Sequence, residues 1–113
     1  MKYILLVCSL FMSLGAIAGG LNLSCVATYN STKVLETSFT LNPKERNKSF
    51  GEIEGFEFLV SENSTEVIEL QAYNMYEPSR SYATANLSQP SSFVELSIWK
   101  REFLMEVKCT KVP

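Results

Sequence analysis

Residues 93 to 109 read FVELSIWKREFLMEVKC, and this stretch decides the fold. Val94, Leu96 and Ile98 alternate with Glu95 and Ser97, and Phe93 and Trp99 flank them. After Lys100-Arg101, Phe103, Met105, Val107 and Cys109 share one face, opposite Leu104, Glu106 and Lys108. A period of two marks a strand with one face buried; a helix would repeat its apolar residues every three to four positions. The stretch therefore reads as two strands joined near Lys100-Arg101. No Asn-Gly or Asp-Gly pair marks a two-residue hairpin turn. A tight turn and a four- or five-residue loop over Trp99 to Glu102 both remain open. Cys109 lies on the apolar face, which points its sulfur into the core or the seam between sheets.

Working outward, the chain begins Met1-Lys2-Tyr3, followed by an uncharged apolar run from Ile4 to Leu14 and then Ala16-Ile17-Ala18. One positive charge, a short apolar core and a small-x-small site describe a secretory signal peptide over residues 1–18. The run is too short to cross roughly 30 Å of hydrocarbon, so stable membrane insertion is not expected. Cleavage after Ala18 leaves one domain over residues 19–113, large enough for a single modest core.

That segment retains two of the three cysteines, Cys25 and Cys109, because Cys8 falls in the leader. An even number of cysteines in a secreted chain implies a disulfide. A Cys25–Cys109 bond would join the two ends of the domain and close a long loop, for which the chain-entropy model gives about 4–5 kcal/mol. Total stabilities are about 5–15 kcal/mol, so such a bond would decide whether the domain stays folded.

Alternation recurs through the segment. Leu21, Leu23, Cys25, Ala27 and Tyr29 form one apolar row; Leu35, Phe39 and Leu41 form a second. Asn42 to Lys48 is a polar loop opened by Asn-Pro, with room for no more than a helical turn around Lys44-Glu45-Arg46. Ser49 to Glu54 is a short strand in which Gly51 and Gly55 suggest a bulge or bend. Phe56, Phe58 and Val60, then Ile68, Leu70 and Ala72, supply two more strands, separated by a polar, turn-prone Ser61 to Ser64. Asn74 to Ser81 reads as a loop, and Tyr82 to Leu87 as a weaker strand. The expected architecture is all-β: a small antiparallel β-sandwich or closed barrel of about eight strands, its ends joined by one disulfide.

What is missing narrows the chemistry. The chain has no histidine and no aspartate; all twelve acidic residues are glutamate. That excludes Ser-His-Asp and Cys-His nucleophilic sites, histidine zinc sites and Asp-rich calcium loops. No Gly-rich phosphate loop occurs, and paired-glutamate glycoside chemistry calls for a cleft that a domain of this size rarely encloses. No enzyme activity, cofactor or metal is expected. A net charge of −2 without a basic run does not favour nucleic acid.

Two sets of residues stand out. Met75, Tyr76 and Arg80 in the Asn74 to Ser81 loop, with Trp99, are types enriched at binding hot spots; alternatively, Tyr76 and Trp99 cover the ends of the core. Asn22, Asn30, Asn47, Asn63 and Asn86 each begin an Asn-x-Ser/Thr triplet, a glycan acceptor in a eukaryotic secretory pathway and a polar turn in a bacterium. Small periplasmic lysozyme inhibitors are similar in size and arrangement, with cysteines near both chain ends. The loop motifs of that family are absent here, and no residue role is carried over. The expectation is a secreted or periplasmic, non-enzymatic binding or inhibitory module with a protein partner, monomeric or weakly oligomeric. The alternatives are a subunit of an envelope assembly and, less favoured, a small-ligand carrier.

Overall fold

The structure, a computed structural model, describes residues 20–113; the expected signal peptide lies outside them. Eight strands follow in order: β1 (Leu21–Tyr29), β2 (Thr32–Leu41), β3 (Lys48–Ile53), β4 (Phe56–Ser64), β5 (Val67–Asn74), β6 (Ser79–Asn86), β7 (Phe93–Lys100) and β8 (Phe103–Lys111). They form two four-stranded antiparallel sheets, ordered β2-β1-β8-β7 and β3-β4-β5-β6. The molecule is thus a sandwich. Its strand sequence is still that of an up-and-down ring, because β8 pairs back onto β1. The ring is interrupted where β2 meets β3 and where β6 meets β7.

Side chains close the first interruption. Phe50 of β3 stacks between Phe39 of β2, at 5.5 Å, and Phe58 of β4, at 5.9 Å. Leu35 of β2 lies directly over Gly51, where a Cβ would come within 2.5 Å of its Cδ2. The bulge expected near Gly51 is present: the β3–β4 register skips Phe50.

The inward rows meet in one core. Leu23, Cys25, Ala27, Phe58, Val60, Ile68, Leu70, Leu87, Met105, Val107 and Cys109 are wholly buried. Cys25 and Cys109 face each other across the β1–β8 ladder and are bonded, with an S–S distance of 2.05 Å. The disulfide therefore joins neighbouring strands of one sheet and points into the core between the two.

Several boundaries differ from the expectations. The sequence Asn30-Ser31-Thr32-Lys33 reads as a turn, but β2 already begins at Thr32, since Asn30 and Ser31 alone form the turn, both with positive φ. Ser61 to Ser64 is not a turn but the end of β4, because Ser61 and Glu62 are buried under the Asn42–Asn47 loop. That loop makes a turn at Pro43-Lys44 and no helix. The loop after β5 is only Met75–Pro78, which places Arg80 on β6. The β7–β8 connection is the tight form: Lys100 pairs with Phe103, leaving Arg101 and Glu102 as the turn.

Candidate functional site

In an up-and-down chain every second connection falls at the same end. The β1–β2, β3–β4, β5–β6 and β7–β8 turns therefore gather at one end, the turn end. The Asn42–Asn47 loop, the β4–β5 turn, the β6–β7 loop and both termini lie at the other, the loop end.

At the turn end, Glu54 and Gly55 both take positive φ, 50° and 83°, the requirement of a type I′ hairpin turn. Asn74 holds the β5–β6 turn in shape. Its buried Oδ1 accepts the backbone N–H of Tyr76 at 3.0 Å and of Glu77 at 3.2 Å. The N–H of Met75 donates to the carbonyl of Gly55 at 2.9 Å, tying the two turns together. The Tyr76 ring lies against Gly55, where a Cβ would stand 2.2 Å from its Cε2. Tyr76 nevertheless remains 82% exposed.

These turns and the β7–β8 turn line an open, solvent-facing cavity of about 350 Å³. Phe56 and Phe103 form its apolar base, and Tyr76 and Asn74 stand beside them. Glu54, Glu77, Lys100, Arg101 and Glu102 supply its charges. Among the described residues, ion pairs join Lys33 to Glu36, Lys48 to Glu45 and Lys111 to Glu66. None of the five cavity charges takes part in one.

The four residues expected to form one surface separate. Tyr76 lines the cavity, and Met75, 37% exposed, adjoins it. Trp99 is 84% exposed on the outer face of its sheet, paired with Leu104 and outside the cavity lining. Arg80 is held on the outer face of the other sheet. Its guanidinium lies 4.9 Å from the Tyr73 ring centre and donates to Gln71 Oε1 at 2.9 Å. Neither Tyr76 nor Trp99 covers the end of the core. Phe103 does, stacked on Tyr29 at 5.3 Å and edge-on to Phe56 at 6.1 Å.

All five triplet asparagines are exposed. Each uses its amide oxygen as an acceptor: Asn22 from Thr40, Asn30 from the Leu104 N–H, Asn47 from Gln71, Asn63 from Arg46 and Asn86 from the Ser88 N–H. Four of them sit at the loop end and Asn30 at the turn end. Among the described residues no group of three acidic or cysteine side chains is placed to hold a metal ion.

The sequence reading missed Glu54, Phe56, Phe103 and the charges of the Lys100–Glu102 turn. Their convergence depends on strand order, although the parity of turns in a meander would have grouped them once the meander was assumed. No protein family, curated protein or solved structure matches this chain.

Proposed function

We propose that the chain is a small secreted or periplasmic, non-enzymatic binding or inhibitory module that engages a protein partner through its turn end. The observation that carries this is the gathering, around one cavity, of five charges that form no ion pair among the described residues and an exposed, seated tyrosine. Binding hot spots draw on such aromatic and arginine side chains held on a rigid frame. The frame here is a cross-linked sandwich, and a disulfide is compatible with an extracellular or periplasmic setting. The cavity's own groups are glutamate, lysine, arginine and aromatic rings, with no histidine or thiol to act as a nucleophile or its base.

Affinity capture with matched baits tests the reading. A partner retained by the native domain and by Thr84→Ala, on the outer face of β6, should be lost with Tyr76→Ala combined with Arg101→Ala. Equal retention by all three baits would refute it.

A structural subunit is the second reading, favoured by one observation: β2, β3, β6 and β7 are sheet edges with no ladder partner on one side. Open edges invite pairing with another chain. That role requires concentration-dependent oligomers in sizing chromatography that survive Tyr76→Ala. The interior does not favour a ligand carrier, since Phe58, Leu23, Leu41, Ile68 and Leu70 fill the space between the sheets.

A further inference from the structure

We infer that the turn-end cavity is an anchor pocket for an aromatic side chain projecting from the partner protein. This rests on the binding reading above and specifies what the site accepts.

The argument starts from charge. Glu54, Glu77 and Glu102 oppose Lys100 and Arg101 around the cavity, so the formal balance is three negative against two positive, or −1. A ligand charge of either sign is attracted by one set and repelled by the other, and these contributions largely cancel. What does not cancel is the base. Phe56 and Phe103 meet edge to face at 6.1 Å, and Tyr76 stands beside them with most of its ring in solvent. Aromatic rings prefer offset or edge-to-face partners and gain from them beyond the area they bury. A third ring entering the pocket would meet Phe56, Phe103 and Tyr76 as its aromatic neighbours.

Rigidity supports the same conclusion. The Tyr76 ring is seated on Gly55, and Asn74 Oδ1 accepts its N–H and that of Glu77, so the turn that carries the ring is already ordered before binding. The volume, about 350 Å³, lies at the small end of the range of about 300–1,000 Å³ for ligand pockets. It suits one side chain better than a free ligand of drug size. The unpaired charges around it can then meet charges that flank the anchor on the partner.

The test is a titration of the ¹⁵N-labelled mature domain with N-acetyltryptophanamide, N-acetylleucinamide and N-acetylargininamide, followed by amide chemical shifts. Tryptophanamide should shift Gly55, Met75, Tyr76 and Phe103 together, with an affinity about fivefold tighter than leucinamide. Shifts scattered over the surface, or equal affinity for leucinamide, would overturn the inference. Tightest binding of argininamide would overturn it in favour of a cation site. If the same amides shift with protein concentration alone and Trp99→Ala abolishes the effect, the occupant is a second copy and the inference again fails. Loss of the partner with Tyr76→Ala but no probe binding would leave the binding reading intact and remove only the anchor. Probe binding at these amides with capture indifferent to Tyr76 would remove the binding reading instead.

Discussion

The two ends of the sandwich use the same residue types for different purposes. At the loop end, charged and polar side chains are consumed by the fold. Glu62, nearly buried, accepts the N–H of Lys44 at 2.7 Å and of Glu66 at 3.2 Å, while its own N–H donates to the Glu45 carbonyl at 2.8 Å. Lys111 pairs with Glu66 at 2.8 Å, and Asn47 accepts from Gln71. Long, irregular connections have backbone groups that no ladder satisfies, and these side chains satisfy them. At the turn end, the connections are two to four residues long and need little such help. Asn30 and Asn74 supply it; Lys33 pairs with Glu36 and Arg80 with Gln71, while the five charges around the cavity form no ion pair among the described residues. A charge that does nothing for the fold is available for something else.

Substitutions can break or sharpen this contrast. The largest effect belongs to neither end. Cys25→Ala with Cys109→Ala should cost about 4–5 kcal/mol, read as a fall in the urea midpoint, because the bond spans a sequence separation of 84. Glu62→Leu should follow, at about 2 kcal/mol, since it leaves two N–H groups without their acceptor. The contrast would fail if this variant were as stable as the native domain. Asn74→Ala is the exception that sharpens it: a turn-end residue with loop-end behaviour, expected to cost about 1–2 kcal/mol and to loosen Tyr76 as well. Lys111→Ala removes a partly exposed ion pair and should cost no more than about 1 kcal/mol, less in high salt. Arg101→Ala and Tyr76→Ala should change stability by less than about 0.5 kcal/mol. A large loss at Tyr76 would mean that its seat on Gly55 holds the turn end together and would reassign it to the fold.

Much of the architecture was legible in the sequence because it depends on local alternation. The rows Leu21 to Tyr29 and Phe103 to Cys109 place their apolar members inward without reference to anything distant. The Cys25–Cys109 pairing was legible because only two cysteines remain once the expected leader is set aside. The boundary of β4 was not. Ser61 and Glu62 look like turn residues, and only the loop that folds over them makes a strand with a buried serine and glutamate tolerable. Arg80 was misplaced for a related reason, since Pro78 and Ser79 hide the true start of β6. The sheet break between β2 and β3 depends on how Phe39, Phe50 and Phe58 pack across it, a tertiary fact with no local signature. The candidate site was half legible. Tyr76 stood out as an exposed aromatic in a turn, but its neighbours come from two other hairpins, and one chain position says nothing about them.

The ladder between β1 and β8 also bears on the covalent order of the chain. Because β8 pairs with β1 in the same antiparallel way as β1 with β2 and β7 with β8, the ring has no obligatory first strand. Joining Pro113 to Gly20 through a short linker and opening the chain at the β4–β5 turn would give a circular permutant with the same neighbours throughout. In that permutant Cys25 and Cys109 would flank a single hairpin, and the cross-link would close about a dozen residues. Its entropic contribution would fall to about 3 kcal/mol. The staple's strength is thus a property of the order of synthesis more than of the fold it closes.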